Sequence, residues 1–165
     1  MKQAAREIFD EAVRAADPYK GILRFVKVEH GDIVIDGERY PAEQYTKVVV
    51  VGGGKASARM GQALEDALGD RIDAGWINTK YGHSIPLRHI TVLECGHPVP
   101  DLRGIEGSRK IIEILRAADE RTLVICLLSG GGSALMPAPA DGVTLEEKQE
   151  VTKLLLGAGA NIGEI

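Results

Sequence analysis

Hydrophobic positions change rhythm twice along this chain. Between residues 2 and 16, Ala4, Ile8, Ala12 and Ala16 recur at spacing four, with Ala5, Phe9 and Val13 beside them. That period predicts an amphipathic helix, ended by Asp17-Pro18. Phe25 to Glu29 and Ile33 to Ile35 then flank His30-Gly31-Asp32, which predicts a small antiparallel hairpin with Gly37 turning out of it. From Lys47 onward, short apolar runs alternate with helical stretches. Strands are predicted at 48–51, 75–79, 89–94 and 122–128. Helices are predicted near 55–68, closed by Gly69, and near 102–118, with Ile105, Ile112 and Leu115 on one face. Such alternation implies a three-layer, Rossmann-like α/β domain with a mostly parallel sheet. After the loop MPAPADG, Thr144 and Glu147 spell a capping box for a helix to about Leu156. GAGANIGEI reads as a turn and the start of another helix, so the chain is expected to be a piece of a longer protein.

Two predicted strands end alike. Val48 to Val51 runs into Gly52-Gly53-Gly54-Lys55, and Leu123 to Leu128 runs into Ser129-Gly130-Gly131-Gly132-Ser133. Glycine adopts positive φ without strain and lets backbone N–H groups approach a ligand. Loops of this kind at strand ends suit phosphate or carboxylate. Both triplets are expected at the carboxyl edge of one sheet, where open α/β sheets bind ligands. Lys55 would stand against the positive end of a helix dipole, a cost that an arriving anion removes.

Bulk properties narrow the partners. At 165 residues the chain fits one domain. Charged residues make up 27% and hydrophobic residues 44%, an ordinary balance for a water-soluble protein. The net charge of −4 comes without a basic stripe or interleaved aromatics, which argues against nucleic acid. No apolar run approaches the roughly 20 residues of a membrane span. Cys95 and Cys126 both lie in strand-like runs, so two thiols in a reducing, cytoplasmic compartment are expected.

Known motifs fit incompletely. In the P-loop pattern, Val49 takes the place of the first Gly and Ala56 follows the Lys. In the dinucleotide fingerprint, Gly52 and Gly54 fit, but Ser57 stands at the third glycine; Asp73 is the candidate distant acid. S-G-G-G-S is not the G-x-S-x-G elbow of a serine hydrolase. His97 sits in Cys95-Gly96-His97-Pro98-Val99-Pro100-Asp101 at a strand end, a stiff loop where α/β sites gather. Cys95 and His97 have no second pair at ligand spacing, so no metal site is expected. His83 and His89 are read as surface residues.

VVVVGGGKASARMG, TKYGH, ECGHPVPD, LLSGGGSALMPAP and TKLLLGAGANIGEI occur in the order found in the type 2 glycerate kinases, which the chain resembles from about Asp17 to its last residue. Some members carry an older label as hydroxypyruvate reductases. The resemblance implies ATP-dependent phosphorylation of D-glycerate with Mg²⁺, usually at the 2-hydroxyl. It also implies two α/β domains with the active site between them, and a C-terminal MOFRL portion beyond this chain. Downstream acid and arginine residues of the family are expected there as well, and assembly as a homodimer is left open. Lys55 carries over as a catalytic residue. Gly52, Gly53, Gly54, Ser129, Gly130, Gly131, Gly132 and Ser133 carry over as nucleotide or substrate loops, with His97 as a motif residue of unassigned role. An NAD(P)-dependent reductase and a non-catalytic anion-binding module are the alternatives.

Overall fold

The apolar runs do form one parallel sheet. The computed structural model describes residues 2–161, 163 and 164. In chain order the elements are α1 (Lys2–Ala15), α2 (Pro18–Phe25), β1 (Val26–Glu29), β2 (Asp32–Ile35), β3 (Glu38–Tyr40), β4 (Lys47–Gly53) and α3 (Ser57–Leu68). Then follow a 3-10 turn (Gly69–Arg71), β5 (Ala74–Lys80), β6 (Ile90–Cys95), α4 (Leu102–Arg116), β7 (Thr122–Leu128), α5 (Gly132–Leu135) and α6 (Leu145–Gly157). The parallel sheet has the order β6-β5-β4-β7, and β1-β2-β3 form a separate antiparallel meander.

Sheet faces explain the unbroken apolar runs. Side chains alternate along a strand, so a run buried throughout needs cover on both faces. Val48 and Val50 join Leu64 and Leu68 of α3, Ile77, Ile90, Ile125 and Leu127 in one core. On the opposite face, Asn78 meets Gly104 of α4 and Leu135 of α5. Helices on both faces make three layers, as the alternation predicts. Each fully buried Leu or Ile here contributes about 1.5–3 kcal/mol.

In the amino-terminal third the structure extends two expectations and corrects one, the hairpin. Asp17-Pro18 does end α1, but it also starts α2. Asp17 accepts from Tyr19 N–H at 3.0 Å as an N-cap, with Pro18 in the first turn. The hairpin is a three-stranded meander, because β3 adds through Ile33↔Tyr40 and the Gly37 turn at φ 85°. The apolar stripe of α1 buries nothing within the described chain: Ile8 is 71% exposed and Phe9 67%. The later elements match closely. Gly69 closes α3 with φ 56°, and Thr144 and Glu147 form the capping box of α6. The helix start expected after Gly159 falls partly on Ile162 and Ile165, outside the described residues.

One buried carboxylate organises the entry to β6. Glu65 is 3% exposed and accepts from the backbone N–H groups of Arg88, His89 and Ile90 at 2.8, 2.7 and 3.1 Å. A charge can stay buried only when its lone pairs are satisfied in this way. No helix among the described residues is long and apolar enough to cross a membrane.

Candidate functional site

Both glycine triplets leave neighbouring strands at the same edge. Gly52 pairs with Leu127 and Gly53 with Leu128, at the carboxyl ends of β4 and β7. Beyond the strands the two loops are bonded to each other. Ser129 N–H donates to Gly53 O at 3.3 Å, and Lys55 N–H donates to Gly130 O at 3.0 Å. Ser129 Oγ accepts from Ala56 N–H at 3.0 Å, and Ser57 Oγ donates to Leu127 O at 3.2 Å.

A buried polar layer lies under this junction. Gly54 N–H donates to Asn78 O at 3.1 Å, and Thr79 Oγ1 donates to Gly54 O at 3.1 Å. Asn78 Nδ2 donates to Leu135 O at 2.8 Å, and its Oδ1 accepts from Trp76 Nε1 at 3.0 Å. Asn78 and Thr79 are both fully buried. Each polar atom there needs a partner, so the layer fixes both loops relative to the sheet.

The glycines divide into two roles. Gly52 and Gly53 are buried strand residues, and their missing side chains serve packing. A Cβ on Gly52 would run into the Leu127 backbone, and one on Gly53 would meet Met136 Cγ at 2.5 Å. Gly54 (φ 142°) and Gly131 (φ 92°) adopt backbone conformations that disfavour a side chain. Gly131 marks where the site converges. A Cβ there would lie 2.6 Å from His97 Nε2 and 3.6 Å from Lys55 Cε. Thus Lys55, His97 and the second triplet meet, although 42 residues separate the first two in sequence (97 − 55). Lys55 is exposed, and it precedes α3 by two residues rather than opening it. Ser133 is exposed on α5 beside the cleft, whereas the Ser129 hydroxyl is engaged in holding the loops together.

The electrostatics suit an anion. Burial and then the Lys55, Lys80 and His83 charges hold the His97 imidazole below the ordinary histidine range. His97 therefore stays neutral near pH 7 and can donate from one ring nitrogen. An NMR titration of the ligand-free chain should place its midpoint below the ordinary histidine value. Adding tripolyphosphate should raise it, because a bound anion offsets the neighbouring cations. A midpoint that ignores the anion would separate His97 from the site. The stability linked to His97 is complete above the unfolded histidine pKa and is lost as pH falls through the lower folded value.

Asp101 has a different task. Burial pushes its carboxyl up, but the N–H groups of Gly104 and Gly96 and the Tyr81 hydroxyl outweigh this and hold it low. Its Oδ1 accepts from Gly104 N–H at 2.9 Å as the N-cap of α4, and its Oδ2 accepts from Tyr81 Oη at 2.9 Å. Asp73 lies at the other end of the sheet. Its Oδ2 accepts from Val48 N–H at 2.8 Å, so it cannot serve as the distant acid of a dinucleotide site. Among the described residues, no three of His, Cys, Asp and Glu gather as a metal site.

A cleft of about 800 Å³ opens from His97, Ser129 and Gly131–Ser133 toward Leu128, Met136 and the α6 residues Lys148, Thr152 and Leu156. Asn78 has no role in the sequence reading, and Thr79 and Lys80 enter its motifs only as the first residues of TKYGH. Their signal was a polar tail, N-T-K, at the end of the otherwise apolar run AGWI.

The chain is 41% identical to a glycerate 2-kinase of Pyrococcus horikoshii over 165 residues, covering 100% of this chain and 37% of that protein. It is 37% identical to a D-glycerate 2-kinase of Thermotoga maritima, covering 36% of it. A crystal structure of a glycerate kinase from Thermotoga maritima superposes with a TM-score of 0.78 at 36% identity, over 98% of this chain and 36% of that one. A crystal structure of a Pyrococcus horikoshii OT3 protein gives a TM-score of 0.84 at 40% identity, with the same coverage. The chain thus spans little more than a third of the length of the relatives it matches. One family model, described as a domain of unknown function (DUF4147), matches residues 4–165, and the chain belongs to that family.

Proposed function

We propose that this chain is part of a glycerate kinase that transfers the γ-phosphoryl group of ATP to the 2-hydroxyl of D-glycerate, giving 2-phosphoglycerate. The observation that carries this is the meeting of Lys55 and His97 at Gly130-Gly131, on the carboxyl edge of a parallel sheet. Phosphoryl transfer needs positioning and charge neutralisation more than covalent help from the protein. Lys55 Nζ would neutralise a phosphate or the glycerate carboxylate, and His97 would donate one hydrogen bond without adding charge. The open side of Gly130, where a Cβ would meet only Lys55 Cε at 3.9 Å, leaves room for a phosphate oxygen.

The donor set suits the phosphates of ATP. It does not suit Mg²⁺, which takes oxygen ligands, usually one or two carboxylates, because the groups converging on Gly131 are a lysine and a histidine. The reductase alternative is weaker, since Ser57 stands where the third glycine belongs and Asp73 lies at the wrong end of the sheet.

The direct assay uses the full-length protein that carries this chain. D-glycerate and ATP-Mg²⁺ should yield phosphoenolpyruvate through enolase alone, which distinguishes the 2-phosphate from the 3-phosphate. NADH oxidation with hydroxypyruvate, without ADP formation, would favour the reductase instead. Residues 1–165 alone are expected to show negligible turnover, because half a cleft cannot hold both reactants in line. Clear turnover by that piece would show that the whole site lies within it.

A further inference from the structure

His83 has so far entered only through its charge near His97, and its surroundings single it out. It lies on the exposed loop between β5 and β6, yet that loop is held from both sides. The N–H groups of Gly82 and Ser84, which flank His83, both donate to Glu94 Oε1, at 2.8 and 3.1 Å. His83 N–H closes the turn onto Lys80 O at 3.0 Å, and Gly82 takes φ 78° to allow it. From this clamp His83 Nδ1 reaches to 3.2 Å from the carbonyl oxygen of Lys55. A carbonyl only accepts, so in this bond Nδ1 carries the proton.

We infer that His83 is a positioning residue for Lys55, held in place by Glu94. The Lys55 N–H is already fixed by Gly130 O, and His83 fixes the carbonyl on its other side. With both backbone groups held, the residue after Gly54 has a single backbone orientation, and its side chain starts from a fixed point over the second triplet. Catalytic donors act best when already oriented, and small misplacements lower rates steeply. The catalytic consequence rests on the kinase reading; the positioning itself does not.

The test combines His83→Ala, His83→Asn, Glu94→Ala and the double variant H83A/E94A in the full-length enzyme. His83→Ala should lower kcat about tenfold with KM and Tm nearly unchanged. His83→Asn should recover most of the rate, because Asn Nδ2 can stand where Nδ1 stood. Glu94→Ala should resemble His83→Ala, and the double variant should be no worse than either single change, as expected for residues acting in series. Wild-type turnover by His83→Ala, or single effects that multiply, would overturn the proposal. Hydrogen exchange gives a readout that needs no reaction. The Lys55 amide should exchange about tenfold faster in His83→Ala, while amides of β5 keep their rates. Unchanged exchange at Lys55 overturns the positioning role whatever the turnover. Faster exchange in an enzyme that transfers no phosphoryl group would sustain the positioning role and remove the kinase reading.

Discussion

Replacing Lys55 with alanine in the full-length enzyme is expected to lower kcat/KM by about 10²-fold or more, with Tm unchanged. That is the scale of losing one preorganised charged donor. Lys55 is exposed, and its contribution to the fold comes from its backbone, through the N–H to Gly130 and the carbonyl to His83. Alanine keeps both bonds and removes only the ammonium. Ser133→Ala should be milder, since it removes a neutral hydroxyl at the exposed cleft wall rather than a charge. Paired kinetics and melting decide the matter. Near-normal turnover would make Lys55 an ordinary solvated side chain, and a collapsed Tm with normal chemistry would make its role structural.

The second large effect falls on stability. Gly52→Ala should cost about 3 kcal/mol, the upper end for overpacking, which corresponds to a Tm drop of about 6–12 °C in a chain of this size. The added methyl would run into the carbonyl of Leu127, whose carbon would lie 2.9 Å away, between two paired strands. Neither strand can yield without breaking the ladder that carries both glycine loops. Gly21→Ala is the matched control. It lies in α2 with nothing within 4 Å of the added Cβ, so helix propensity should make the change neutral or stabilising by up to about 1 kcal/mol. Equal melting of the two variants would refute this account of Gly52.

Local chemistry made much of this architecture legible. Val48 to Val51 and Leu123 to Leu128 declared buried strands because nothing polar interrupts them, and Thr144 with Glu147 declared a helix start. The shared edge of the two triplets followed from their identical placement after strands. What escaped was chemistry that depends on distant partners. Asp17-Pro18 ends one helix and starts another, and only the tertiary path reveals the second role. Asn78 and Thr79 look like ordinary polar residues until the glycines they hold are packed above them. His83 looked like a surface histidine because the residue it contacts lies 28 positions away, across a crossover connection. The division of labour within the first triplet was hidden too, since two of its three glycines belong to the strand.

The strand order has one more consequence. β7 is the outermost strand of the described sheet, and it is TLVICLL: seven residues without a charge or a proline. Its outer backbone faces no partner strand among the described residues, while Leu128 is 58% exposed and Cys126 is an exposed free thiol. An uncharged open edge of this kind is a template for pairing between molecules. Concentrated samples of this chain are expected to self-associate edge to edge and to cross-link through Cys126 once reductant is spent, which light scattering with and without reductant checks. A lysine at position 126 should keep such samples monodisperse without touching the glycine loops on which the proposed chemistry depends.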